Sequence, residues 1–142
     1  MIEARLVRNE DERRTVMAIR HRVFVVEQQV PAELETDEYD AAADHLIGLV
    51  DGVPHGAGRL VVEPGAQGHL GRLAVLAEAR GSGLGVALVR AVEGRARERG
   101  LRGVVLGAQV YAVGFYQRLG YAAYGDVFDD AGIPHRHMHK EL

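Results

Sequence analysis

The run Arg80-Gly81-Ser82-Gly83-Leu84-Gly85 places three glycines between an apolar stretch, Leu73-Ala74-Val75, and a long amphipathic segment. Amides in the first turn of a helix lack intrahelical partners, and the helix dipole draws negative oxygens toward them, so several N–H groups here could converge on one phosphate. Glycine lets such a ligand approach with no Cβ in its way. Two phosphate loops do not fit. A P-loop requires Lys and then Ser or Thr after its last glycine, but Val86, Ala87 and Leu88 follow Gly85. A dinucleotide loop requires a third glycine where Val86 stands, and no suitable acidic residue follows about twenty positions on. What remains is Arg80-x-x-Gly83-x-Gly85 opening a helix. The alternative is a turn whose glycines serve only close packing of strand on helix.

Other side chains could handle protons or ions. Tyr116 carries a donor O–H, and it also falls on an apolar stripe with Ala112, Phe115 and Leu119, as a core tyrosine would. Glu27 sits among apolar neighbours in Val23-Phe24-Val25-Val26, where desolvation would raise its pKa toward that of a useful base; pairing with Arg20 or Arg22 is the structural alternative. His45 and His69 are further base candidates, with Asp37 and Asp40 near in sequence, and a lone strand histidine such as His45 can equally satisfy a carbonyl. Residues 33–44 hold six carboxylates, enough to attract a cation or simply to form a solvated loop. His135, His137 and His139 alternate on one strand face, but nothing completes a metal site around them, so surface or cleft histidines are the reading and no metal is expected.

These groups must be positioned by a single domain over residues 1–142, a length sufficient for one substantial core. No apolar run reaches membrane-spanning length, and the charged N-terminal stretch lacks a signal-peptide core, so a cytoplasmic address is expected and no membrane partner. The net charge of −3 offers no basic field for nucleic acid. The absence of cysteine excludes disulfides, thiolate metal sites and an acyl-cysteine.

Residues 3–7 alternate as a strand, and Asn9 with Glu12 has the spacing of an N-cap and its reciprocal carboxylate. A helix follows over 10–24 with Val16, Ile19 and Val23 on one face, and Pro31 stops it or its extension. Asp51-Gly52 joins two strands as a tight hairpin. Residues 69–76 make another strand. From Leu84 the spacing is helical, with Leu84, Leu88, Ala91 and Val92 inward and an exposed i,i+4 pair of Glu93 and Arg97, ending at Gly100. A strand, a helix through Tyr116 and two antiparallel strands complete the chain. The pattern is a mixed α/β layer with an antiparallel front, one right-handed β-α-β crossover and a hairpin end.

Arg80-x-x-Gly83-x-Gly85 after Leu73-Ala74-Val75 resembles the coenzyme A loop of the GNAT superfamily of N-acyltransferases. The stretch "AQVYAVGFYQRLGYAAYGDVFDDAGIPHRHM" looks like that superfamily's last helix and closing strands, and "RHRVFVVEQQVPAELETDEYDAAADHLIG" is similar to its ElaA-like subgroup in particular. The resemblance implies a single-domain, mostly antiparallel sheet flanked by helices, with a parallel strand pair (70–76 and 103–107) splayed at the cofactor cleft. It implies acetyl-CoA as acyl donor, with the edge of Leu73, Ala74 and Val75 on the pantetheine arm and the amides of Arg80, Gly81, Ser82, Gly83, Leu84 and Gly85 on the pyrophosphate. Tyr116 would protonate the leaving thiolate and Gln109 would bond the pantetheine or the backbone before the last helix; read from the residues alone, Gln109 could equally cap the following helix, and Glu27 is the candidate base that deprotonates the acceptor. The implied activity is direct transfer of acetyl to a primary amine, on a small molecule or peptide, in a ternary complex. Edge strands make a homodimer, common in the superfamily, available. The alternatives are a non-catalytic acyl-CoA-binding or regulatory domain and, more remotely, a nucleotide-binding module.

Overall fold

In a computed structural model describing Met1–Leu142, seven strands form one sheet. They are β1 (Ile2–Leu6), β2 (Asp44–Val50), β3 (Val53–Glu63), β4 (Gln67–Val75), β5 (Gly103–Gln109), β6 (Ala122–Asp130) and β7 (Ile133–Glu141), in the order β1-β2-β3-β4-β5-β7-β6. Only β4 and β5 run parallel. The helices are α1 (Glu10–Arg20), extended by a π-helical segment (His21–Glu27), α2 (Ala32–Glu35), α3 (Leu84–Glu98) and α4 (Val113–Arg118). No helix is long and apolar enough to cross a membrane.

The sheet separates two cores. Leu46, Leu60, Leu70, Leu84, Leu88 and Val92 meet on the α3 side, while Val16, Ile19, Val23, Ile47, Ala57 and Ala74 meet on the α1 side. Adjacent residues such as Leu46 and Ile47 therefore bury opposite faces, which is why β2 reads as a continuous apolar run. Glycine decides how near α3 lies. A Cβ on Gly48 or Gly56 would stand 2.9 Å from Leu84 or 2.8 Å from Leu88. Asp51 (φ 50°) and Gly52 (φ 78°) make the expected hairpin turn.

The N-cap forms with one change. Asn9 Oδ1 accepts from the Glu12 amide at 2.9 Å, but the Glu12 carboxylate accepts from the Arg8 amide, at 2.8 Å, and from both Nη atoms of Arg5. The Arg5 hydrogen bonds, then the Arg8 amide, pull the Glu12 pKa down from 4.5 to about 2. A depressed carboxyl stabilises the fold above its unfolded pKa and loses that contribution as pH falls through the folded value. Glu12→Gln should therefore cost about 1 kcal/mol at pH 7. Thermal melts should show its deficit against the parent chain vanishing between pH 4.5 and about 2.

The first helix runs through residue 24 as expected, with its backbone widened to π geometry from His21 to Glu27, and one expectation about α3 is corrected. Glu93 is not exposed and does not pair with Arg97: it is 1% exposed, accepts from Tyr121 Oη at 2.8 Å and pairs with Lys140 at 3.0 Å and Arg90 at 2.9 Å. Burial would raise its pKa, but these donors outweigh burial and lower it.

Candidate active site

Strands β4 and β5 pair only through Gln67–Gly103, Gly68–Val104 and His69–Val105. Beyond His69 and Val105 they part, so the opening lies within the expected 70–76 and 103–107. The other edge of β4 carries a bulge opposite Ala57 and Arg59, where Arg72 adopts φ 46°. A bulge increases local twist and turns the strand away from its neighbour. Between the diverging strands lies a cavity of about 880 Å³. It reaches from the Arg80–Gly85 loop to Arg59, Arg72 and His69.

At the loop, the amides divide into two sets. Those of Arg80 and Ser82 donate to Ala77 and Ala79 carbonyls, each at 3.3 Å, and that of Leu84 to Ser82 Oγ at 3.3 Å. The amides of Gly81, Gly83, Gly85 and Val86 have no partner in the chain, and all four residues line the cavity. The expected unbroken run of donors is thus corrected to alternate ones, joined by Val86. Leu84 is fully buried and serves the core. Close packing does not explain Gly81 and Gly83, because a Cβ on either would meet nothing within 4 Å; their φ values of 82° and 93° do require glycine. Four free donors before and within the first turn of a 15-residue helix make a fit for a diphosphate.

Leu73 and Val75 line the cavity, whereas Ala74 is turned into the α1-side core. From residue 70 the β5-facing edge of β4 has no ladder partner, leaving main-chain groups for a ligand's amides, except that the Val75 carbonyl accepts from Arg80 Nε at 3.1 Å. Gln109 caps nothing. Its Nε2 donates to Gln28 Oε1 at 2.8 Å, bridging the end of β5 to the end of the π-helical segment, and both residues line the cleft.

Tyr116, on α4, is 7% exposed and lines the cavity, with edge-on contacts to Phe115 and Tyr121. Burial, and secondarily Tyr111, pushes its phenol well above the ordinary range. No group in the chain bonds its hydroxyl.

The basis for a basic Glu27 fails. The residue is about 43% exposed and pairs with Arg80 at 2.7 Å, and that hydrogen bond, outweighing a small burial effect, holds its carboxyl below the usual range. Arg20 and Arg22 are not its direct partners: Arg22 faces Glu78, and Arg20 is wholly buried against Glu35 and Asp40. His45 is structural. It is buried, bonded through Nε2 to the Asp40 carbonyl at 2.8 Å, and its pKa is lowered by burial. His69 lines the cavity and meets Glu63 through Nδ1 at 2.6 Å.

The acidic stretch presents little free charge. Glu35 and Asp40 grip Arg20, Asp37 and Asp40 take Arg59, Asp37 also takes Arg72, and Asp44 is held by Arg95 and Arg99. Burial would raise the Asp40 carboxyl, but hydrogen bonds from Arg20, the Asp37 amide and Arg59 hold it far below its ordinary range. A cation-attracting loop is therefore replaced by an arginine–carboxylate cluster. Sequence reasoning missed Arg59 and Arg72; the available signal was a charged residue interrupting each apolar strand. His135 and His137 line the cavity, His137 stacked on Phe128 and His135 tilted against it, and no group of three or more histidine, aspartate or glutamate side chains is arranged to hold a metal.

A donor set that fits a diphosphate before a helix, a splayed parallel pair and a cleft tyrosine are the features that the resemblance to GNAT acyltransferases implies. Residues 8–142 match the family model described as acetyltransferase (GNAT) domain. The chain is 38% identical over 141 residues to the uncharacterized N-acetyltransferase YjcF of Bacillus subtilis, covering 99% of this chain and 100% of that one. Its fold matches Escherichia coli ElaA with TM-score 0.85 and 26% identity, covering 99% and 100% of the two chains. An acyl-CoA N-acyltransferase from Pseudomonas aeruginosa matches with TM-score 0.85 and 30% identity over 99% of each. The protein belongs to the GNAT acetyltransferase family, and acetyl-CoA is its acyl donor.

Proposed function

We propose that the chain moves acetyl directly from acetyl-CoA to a primary amine held in the same cleft, in a ternary complex. The observation that carries this is the continuity of one cavity from the free amides of the loop, past Tyr116, to His69. When bound, acetyl-CoA supplies an acetyl group already activated as a thioester. The amides of Gly81, Gly83, Gly85 and Val86, with Arg80, hold the diphosphate, and the open edge at Leu73 and Val75 holds the arm. Gln109, tied to Gln28, flanks that arm.

His69 accepts the proton of the attacking amine. Its carboxylate partner requires Nδ1 to be the donor, which leaves the Nε2 lone pair available in the neutral ring. As the C–N bond forms and the C–S bond breaks, the Tyr116 hydroxyl donates to the departing sulfur, giving amide and free CoA. Glu27 instead positions Arg80. Glu27→Gln should change kcat less than about threefold while weakening acetyl-CoA binding a few-fold, and His69→Asn should lower kcat about tenfold, the loss kept modest because water can take over at a partly exposed site. A fall of 100-fold in Glu27→Gln would restore it as the base.

The decisive experiment measures amine-dependent CoA release with varied concentrations of both substrates. Intersecting initial-rate lines are expected. Parallel lines would overturn direct transfer, and acetyl-CoA binding without release for any amine would make the chain a binding module.

A further inference from the structure

Arg59 is unusual among the arginines of the cluster. It is 6% exposed, and its Nη1 is fully used by Asp37 at 2.7 Å and Asp40 at 3.0 Å. Its Nε is buried with no hydrogen-bond partner, and its Nη2 makes no bond to the chain. Leaving N–H groups of a buried cation unmet is costly, so their partner is expected from outside the chain. In a guanidinium these two nitrogens form the side-on fork, whose spacing matches the two oxygens of a carboxylate.

Position and charge agree. A Cβ placed on Gly71 would be 3.9 Å from Arg59 Nη2 and 3.9 Å from His69 Cδ2, so the space over Gly71 is bounded by an anion donor on one side and the proposed base on the other. Arg59, Gly71 and His69 all line the cavity. Arg72 joins them: its Nε and Nη2 bond Glu35 O at 2.9 Å, Leu34 O at 3.4 Å and Asp37 at 3.2 Å, and its Nη1 is free. Burial, then the nearby charge of Arg59, lowers the Arg72 pKa. The nearby carboxylates do not oppose an incoming anion. Both oxygens of Glu35 are taken by Arg20, those of Asp37 by Arg59 and Arg72, and Asp130 lies exposed on the hairpin at the rim. Three arginines, Arg20, Arg59 and Arg72, already balance Glu35, Asp37 and Asp40, which suits a singly charged group better than a phosphate dianion.

We infer that the acceptor is an amine bearing a carboxylate a few bonds away, as in an amino acid, with that carboxylate received by Arg59 and Arg72 above Gly71. The inference rests on the acetyl-transfer reading and is tested so that the two can fail separately. CoA release is measured with amino acids and with their primary amides, and binding of the N-acetylated amino acids and N-acetylated amino-acid amides is measured by calorimetry in the presence of CoA. The carboxylate member should exceed its amide by at least about tenfold in kcat/KM and in product affinity.

Arg59→Gln risks the fold through Asp37 and Asp40, so the variants are Arg72→Gln and Gly71→Leu. Arg72→Gln should cut the carboxylate preference several-fold with acetyl-CoA affinity kept. Gly71→Leu, at a φ that any residue adopts and with only ordinary contacts around its Cβ, should raise the acceptor KM at least about tenfold. Equal use of acid and amide, with normal CoA release, overturns the inference and leaves acetyl transfer standing. If no amine releases CoA, the transfer reading fails, and the product pair decides alone: equal affinities overturn the carboxylate site, and a preference for the acid supports it.

Discussion

Gly83→Glu should fold and should lose acetyl-CoA, with affinity falling at least about 100-fold. At φ 93° a side chain costs about 1–2 kcal/mol of left-handed strain, but no atom within 4 Å obstructs its Cβ. A carboxylate at the start of α3 also gains about 0.3–1 kcal/mol from the helix dipole, so the melting temperature should move only a few degrees. Binding pays a different penalty. The substitution puts a negative charge and four further heavy atoms beyond the Cβ among the free amides of Gly81, Gly83, Gly85 and Val86, which are the only uncommitted main-chain donors of the loop. Two like charges a few ångströms apart repel by about 1 kcal/mol in water and about 4 near a protein surface, and a diphosphate carries more than one. Gly83→Ala separates the contributions, since it keeps the strain without the charge and should weaken binding less than about tenfold. Calorimetry with acetyl-CoA on both variants is the measurement, and unchanged affinity in Gly83→Glu would remove the diphosphate from this loop.

That loop also shows how far the sequence could be read. Three glycines before an amphipathic run located the start of α3, because local backbone needs are written in local residue types. The same holds for Asp51-Gly52, where both residues take positive φ, and for Gly100 (φ 72°) closing α3. Which amides stay free was not legible: Ala77 and Ala79 reach back from a 3₁₀ turn to occupy Arg80 and Ser82. Contacts between distant segments were harder still. Glu27 was read from its apolar neighbours, yet its environment is Arg80, 53 residues away, and the ion pair reverses the expected shift. Glu93 looked exposed by helical spacing, but Tyr121 and Lys140 close over it once β7 enters the sheet between β5 and β6. The carboxylates of residues 33–44 similarly gave no hint that arginines from α1, β3 and β4 converge on them. Periodicity reports which face is inward and says nothing of which charge waits there.

Tyr116→Phe should lower kcat about 100- to 1,000-fold and leave acetyl-CoA affinity within about twofold. The ring is what the fold uses. Its centroid lies 5.0 Å from Phe115 and 5.8 Å from Tyr121, both near perpendicular, and phenylalanine preserves that packing. The hydroxyl has no partner in the chain, so its removal strands no buried group and stability should change by less than about 1 kcal/mol. What disappears is a donor on the cavity wall. Because burial raises the phenol pKa, Tyr116 stays protonated throughout the working pH range and keeps its O–H available as a donor. Sulfur leaving as an anion into the same desolvated space needs such a donor, whereas the bound thioester before reaction scarcely does, which is why the loss belongs in kcat. A core tyrosine would behave otherwise: removal of its hydroxyl would leave kcat unchanged. Single-turnover rates of acetyl transfer, measured with saturating acetyl-CoA on parent and variant, separate the two outcomes without interference from CoA release.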